Sequence, residues 1–316
     1  MSQYTQTVFL TGGAGFIGSN YLNKYVLLNP DVLYVNIDAL TYAGNLKNIR
    51  VSDSPNYVFE KADIRERESL EALFKKYAPT AVLHFAAESH VDLSLKNPNI
   101  FFETNVLGTH SLLSLSREYA IARFHLVSTD EVYGALTAAD GSFSESSPIS
   151  PRNPYSASKA GADITVQAYH ETFGLNTIVT RSSNTYGPNQ DVSKLMPKFI
   201  AQLKNDEKVP LYGKGEQMRE WMFVEDCIDG IHAAFTLGKS GQVYNVGSGF
   251  ELSNYELTMK LLKAFGKDDS YISYVEDRLG HDFRYALDVS KIKNELGWSP
   301  KVDFAEGLRR TIESYL

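Results

Sequence analysis

Thr11-Gly12-Gly13-Ala14-Gly15-Phe16-Ile17-Gly18 follows a short apolar run, Val8 to Thr11, and opens a helical pattern. The stretch satisfies both the GxGxxG and GxxGxxG spacings. A strand, a glycine turn and a helix in that order predict a dinucleotide-binding unit. Gly12, Gly15 and Gly18 permit the tight turn and let the backbone approach a pyrophosphate, which then rests at the positive end of the helix opened by Phe16 and Ile17. Asp38 ends the second apolar run, about 20 residues past the glycine turn, where an acid accepts hydrogen bonds from the adenosine ribose hydroxyls. Its charge repels a 2′-phosphate, so the expected cofactor is NAD rather than NADP.

Working outward, Val32 to Ile37, Tyr57 to Glu60, Ala81 to Phe85, Phe124 to Ser128 and Thr177 to Arg181 read as further strands. Longer amphipathic segments such as Glu66 to Tyr77 and Asn105 to Tyr119 lie between them. Runs apolar on both faces, alternating with helices, indicate a doubly wound α/β fold with a parallel sheet covered on both sides. After residue 182 the rhythm loosens around Pro188, Pro197, Pro210 and Pro300. The expected division is a Rossmann domain over 1–182 that carries the catalytic residues, and a smaller substrate-binding lobe over 183–316, interleaved with the first.

The chain has 316 residues, room for two lobes at one domain per ~150 residues. Its formal charge is −7, and no Lys/Arg run exceeds a pair, which argues against a nucleic-acid groove or an anionic membrane surface. A single cysteine, Cys227, allows no intramolecular disulfide and no thiolate metal cluster, and fits a reducing cytoplasm. No apolar stretch approaches the ~20 residues of a membrane span. Metal is not expected.

Chemistry concentrates in Ser128-Thr129-Asp130-Glu131-Val132-Tyr133-Gly134 and in Pro154-Tyr155-Ser156-Ala157-Ser158-Lys159. Acids are costly to bury without partners, so two adjacent carboxyls at the end of an apolar run suggest groups held for proton transfer. Tyr155 and Lys159 are one helical turn apart and share a face. An ammonium beside a phenol favours the phenolate, which predicts that Lys159 lowers the pKa of Tyr155 and makes it a base, with Thr129 nearby.

The glycine turn, Asn105 and the Tyr155–Lys159 pair resemble the extended short-chain dehydrogenase/reductase superfamily over essentially the whole chain. Within it, Ser128 to Gly134, Ala86-Ala-Glu-Ser-His-Val-Asp92, Asp38 to Asn45 and Gly280-His-Asp282 resemble the dTDP-glucose 4,6-dehydratase family. The resemblance implies that Tyr155 takes the C4 hydroxyl proton, with Lys159 and Thr129 orienting it. Glu131 then takes the C5 proton and Asp130 protonates the departing C6 hydroxyl. It further implies cofactor contacts from Asp63, Ile64, Ala86 and Asn105, and sugar-nucleotide contacts from Ser89, Asn184, Lys194, Arg219, Asn254, Arg278 and His281. A homodimer is also implied, packed through the helix around Asn105 to Tyr119 and the helix following Tyr155. His84, His125 and His232 are expected to be packed side chains without a role.

Leu93, Thr185, the Asn189 to Ser193 loop and Glu220 depart from the family's usual pattern, which leaves nucleotide selectivity more open than reaction type. The competing readings are a UDP-sugar 4,6-dehydratase, a 4-epimerase, and a dinucleotide sensor without catalysis. The paired acids argue against the epimerase, and the presence of Thr129, Tyr155 and Lys159 argues against the sensor.

Overall fold

Each of the first six apolar runs forms a strand: β1 (Gln6–Thr11), β2 (Val32–Asp38), β3 (Tyr57–Lys61), β4 (Ala81–His84), β5 (Arg123–Thr129) and β6 (Thr177–Ser182). The chain then adds β7 (Asn184–Tyr186), β8 (Val209–Tyr212), β9 (Met218–Phe223), β10 (Gln242–Val246), β11 (Glu251–Ser253) and β12 (Ile272–Val275). The computed structural model describes residues 4–277 and 281–316. Its central sheet runs β10-β6-β5-β4-β1-β2-β3, and every pairing in it is parallel. Alternate residues feed two cores. Leu10, Leu83, Val127 and Ile178 face one layer of helices, while Phe9, Val82, Phe124 and Val179 face the other. This two-sided burial is what the unbroken apolar runs predict for a parallel sheet.

Register brings the functional strand ends level. Thr11 pairs with Ile37 on one side and His84 on the other, and Thr129 pairs with Ser182. Strand order reverses at β1, between β2 and β4, so the loops leaving β1 and β4 diverge and open a crevice at the carboxyl ends of the strands.

The second half of the sequence does not stay apart from the first. β10 returns to the central sheet beside β6 (Gln242 opposite Ile178), and the helix Val224–Leu237 packs on the helix Phe16–Leu28. The remaining strands form a three-stranded sheet, β11-β9-β7, and a two-stranded sheet, β12-β8, beyond the strand ends. The helix Pro154–Phe173 starts where its sequence says it should. Asn153 accepts a hydrogen bond from Ser156 N at 2.9 Å, Pro154 occupies the first turn, and Gly174 closes the helix at φ 68°.

The three histidines pack as expected. His84 sits between the hydroxyls of Thr11 (2.6 Å) and Thr109 (2.9 Å), His125 meets Thr180 at 3.0 Å, and His232 meets Tyr21 at 2.8 Å. Burial pushes His84 and His125 down to about 3 and His232 down to about 4, so all three are neutral near pH 7. No helix among the described residues is long and apolar enough to cross a membrane.

Candidate active site

The glycine turn leaves no room for side chains. Gly12 has φ 73°, and a Cβ there would lie 2.6 Å from Ala86 N; a Cβ on Gly18 would lie 2.5 Å from Gly12 O. The helix Phe16–Leu28 begins at Gly15 with no side-chain cap. Its first N–H groups are therefore suited to an anion. Asp38 braces the turn: Oδ2 accepts from Ala14 N at 2.9 Å and Oδ1 from Leu40 N at 2.8 Å. Burial pushes its carboxyl up and these two N–H groups pull it back.

One cleft is lined by Gly12, Gly15, Phe16, Ile17, Gly18, Asp38, Asp63, Ile64, Ala86, Ser89, Tyr155, Lys159 and Lys194. A Gly-lined turn at one part, an acid at the end of β2 and a Tyr/Lys pair in the same cleft fit a dinucleotide. Asp63 is held there by Arg65 at 2.7 Å. Asn105 is the exception among the expected cofactor residues, because it is buried outside the lining. Its Oδ1 accepts from Glu88 N at 2.8 Å, and its Nδ2 donates to Glu88 O at 3.0 Å and Ser158 Oγ at 2.8 Å. Asn105 thus ties the loop after β4 to the Tyr155 helix, from within a π-helical stretch, Glu103–Gly108.

Thr129, at the end of β5, caps a short helix over Asp130–Tyr133: its hydroxyl accepts from Glu131 N at 3.3 Å and donates to Asp130 Oδ1 at 3.2 Å. Asp130 is 1% exposed, and its Oδ2 finds no hydrogen-bond partner among the described residues. Burial, then the charges of Glu131 and Glu220, hold its carboxyl well above the usual range, so the protonated acid is favoured.

Tyr155 departs from expectation. Burial first, then the Glu131 charge, raise its phenol well above the ordinary value, while the Thr129 hydroxyl acts the other way. Lys159 does share its face, but Nζ donates to Val127 O at 2.8 Å. Burial drives Lys159 down to about 8, with Asp163 opposing. Desolvation and the neighbouring acids set the Tyr155 phenol, while the Lys159 ammonium is turned to Val127 O.

Segments after residue 217 bring Arg219 and Tyr285 to the acids. The Arg219 guanidinium donates to the carbonyls of Met218 (2.7 Å), Asp282 (3.0 Å) and Phe283 (3.3 Å) rather than to a carboxylate, and lies 4.5 Å from the Tyr285 ring centre. Tyr285 donates to the buried Asp282 carboxylate, and burial first, then the Glu131 charge, raise its phenol. Glu220, one of the departures, is buried and accepts from Ser248 N (2.6 Å), Gly249 N (3.0 Å) and Leu287 N (2.8 Å). Sequence reading did not single out Tyr285. It lies on an irregular segment with no periodicity, and its only signal was position, three residues after Asp282.

Lys194 reaches across the cleft to Ser89 O at 2.8 Å. Asn184 opens β7 with its Oδ1 buried and unpartnered among the described residues. Asn254 starts the helix Asn254–Ala264 and is fastened to Gln217 O at 2.9 Å. His281 meets Asp277 at 2.7 Å and stands edge-on to Tyr212. Neither Asn254 nor His281 lines the cofactor cleft. Arg278 lies outside the described residues.

This architecture is matched in known proteins. A family model described as GDP-mannose 4,6 dehydratase matches residues 9–311. The low-salt glycan biosynthesis protein Agl12 of Haloferax volcanii is 48% identical over 98% of both chains. A dTDP-glucose 4,6-dehydratase of Streptomyces griseus is 47% identical over 98% of this chain and 94% of its own. The crystal structure of DesIV, a dTDP-glucose 4,6-dehydratase from Streptomyces venezuelae with NAD bound, superposes with a TM-score of 0.94 at 44% identity, covering 98% of this chain and 96% of that one. Matched over nearly its whole length by family model, sequence and structure, the chain belongs to the dTDP-glucose 4,6-dehydratase family of the short-chain dehydrogenase/reductase superfamily.

Proposed function

We propose that this protein dehydrates dTDP-glucose to dTDP-4-keto-6-deoxyglucose, using NAD that stays bound through each turnover. The observation that carries the reading is the buried Asp130, its Oδ2 unpartnered among the described residues and its carboxyl favoured as the acid, set beside Glu131 and Tyr155. A plain oxidoreductase needs the tyrosine alone; elimination of water needs an acid and a base as well.

Bound NAD supplies a reversible hydride store. Gly12, Gly15, Gly18 and the first turn of the helix Phe16–Leu28 hold its pyrophosphate, Asp38 its adenosine ribose, and Tyr155 with Lys159 its reactive end. Tyr155 takes the C4 hydroxyl proton, steadied by Thr129 and Lys159, while the C4 hydrogen would leave as hydride to the NAD held beside it. The resulting 4-keto group acidifies C5, Glu131 takes the C5 proton, and Asp130 gives its proton to the C6 hydroxyl, which leaves as water. A proton returned to C5 and hydride returned to C6 complete the 6-deoxy product. Asn184, Lys194, Arg219, Asn254, Arg278 and His281 hold the nucleotide diphosphate and sugar.

Assay of dTDP-, UDP-, CDP- and GDP-glucose for 4-keto product tests the assignment. The dTDP sugar should give the highest kcat/KM; a higher value with UDP-glucose would reassign the substrate, and product epimerised at C4 would reassign the reaction.

Arg219→Ala should raise KM about tenfold or more with kcat less affected, because a charge-assisted hydrogen bond contributes about 1.5–3 kcal/mol. Unchanged substrate affinity would remove Arg219 from the binding set.

The protein acts as a homodimer in this reading. Leu107 is 60% and Ile164 54% exposed, on the packed helical segments that carry Asn105 and Tyr155, and these two apolar side chains are the ones a partner copy would cover. Leu107→Glu should sediment as a monomer where the wild type sediments as a dimer; a monomeric wild type sinks the idea. Cys227, buried and free, fits a cytoplasmic location.

A further inference from the structure

Lys159 is not the only charge buried on its helix. One turn along, Asp163 is fully buried and accepts a hydrogen bond at 2.7 Å from Arg181 Nε on β6. Arg181 is itself 2% exposed, and its guanidinium carbon lies 4.7 Å from the centre of the Tyr133 ring. Tyr133 closes the short helix that begins at Asp130. One ion pair therefore touches both the helix of Tyr155 and Lys159 and the element of Asp130 and Glu131. The proposed chemistry uses none of these three residues.

Stability alone is a weak reason to keep such a pair, since well-packed apolar replacements are often as stable. The Asp163 carboxylate also keeps Oδ1 without a hydrogen-bond partner among the described residues, so its charge is only partly spent on Arg181. Formal charge across Lys159, Asp163 and Arg181 sums to +1. An excess positive charge buried one turn from Tyr155 is what a phenolate there requires. We propose that Asp163 is the positioning residue that keeps the Lys159 ammonium charged in its buried place against β5, and that Arg181, braced on Tyr133, fixes the Asp163 carboxylate and takes up part of its charge.

The surroundings of Lys159 leave little else to do this. His84 on β4 faces it as a neutral imidazole, Val127 on β5 offers a carbonyl, and Tyr155 sits on the same helix. Asp163 is the neighbouring anion that acts against the burial of Lys159. Around the pair itself, Arg181 approaches from β6, and Tyr133 also feels Glu145.

The proposal rests on the reading of Tyr155 and Lys159 above, and its test is independent of turnover. The ε-methylene signal of Lys159 can be followed by NMR across pH in ligand-free protein carrying labelled lysine, and assigned by its loss in Lys159→Ala. Asp163→Asn should lower the Lys159 titration midpoint by about one pH unit, and Arg181→Met should raise it by a similar amount, since an opposite or like charge nearby shifts a pKa by roughly that much or more. A merely structural pair would move both midpoints the same way or neither, and either result overturns the proposal. Should Asp163→Asn fail to fold, the rise in Arg181→Met decides alone. Failure of the underlying reading would look different: an active Tyr155→Phe enzyme with the Lys159 midpoints shifted as stated.

Discussion

Tyr155→Phe should slow turnover by ~10²–10⁴-fold, the usual value of general-base assistance, while leaving the fold and the sugar-nucleotide affinity close to normal. The phenol is 8% exposed and sits in the cofactor cleft with Lys159, so removing one hydroxyl disturbs little packing. A single-turnover experiment isolates the effect, because C4 oxidation is the step that reduces the cofactor. Near-normal reduction in the phenylalanine variant would take Tyr155 out of the mechanism. The pH dependence of the same step carries a sign. Lys159 is held down to about 8, so its ammonium is present below that pH and is lost as pH rises through it. Oxidation should therefore decline on the alkaline side. Lys159→Ala should move the profile to higher pH, because the unassisted phenol ionises later; an unmoved profile would count against the coupling.

Separating oxidation from dehydration is the second large effect. Glu131→Gln keeps size and hydrogen-bonding shape but cannot accept the C5 proton. The variant should still oxidise C4, accumulating reduced cofactor with a bound 4-keto hexose, and should lose solvent deuterium exchange at C5. Asp130→Asn should behave differently. Its amide cannot give up a proton to the C6 hydroxyl, so C5 exchange persists while loss of water slows, each change being worth ~10²-fold or more. Quench-flow analysis of the bound sugar, beside the near-ultraviolet trace of reduced cofactor, reads both steps. Dehydration at the wild-type rate in Glu131→Gln would falsify the division of labour. The burial of Asp130, raised by its own desolvation and by two neighbouring carboxylates, gives the physical reason for assigning it the acid: of two adjacent carboxyls, the less solvated one keeps its proton.

Local patterns made much of this legible beforehand. Runs such as Val32 to Ile37 and Thr177 to Arg181 announce buried parallel strands because each is short, rich in β-branched and apolar residues, and the structure extends each by one residue. The glycine turn is readable for a steric reason, since the backbone at Gly12 and Gly18 passes too close to Ala86 and Gly12 for any side chain. Tyr155 and Lys159 needed only the helical repeat. By contrast β10, the short run Gln242–Val246, lies among loosened rhythm and turn residues. Its place beside β6 depends on pairing with a strand some sixty residues earlier in the chain, which no local signal encodes.

What tertiary structure alone decided is the electrostatics of the site. In the sequence Lys159 is the charge one helical turn from Tyr155 on the same face, and a lowered phenol pKa follows. In the fold Lys159 turns to Val127 O, while Glu131 and Asp130 arrive from β5 and burial removes water, so the phenol rises instead. Asp130 and Glu220, ninety residues apart in sequence, meet in one desolvated space with Arg219, and Asn105 proves to be a buried tie rather than part of the cleft lining. Residue type and spacing set the chemistry that is available and the elements that carry it, because both are local. Which groups keep their protons depends on distance and solvent exclusion between segments remote in the chain, and those quantities exist only once the chain has folded.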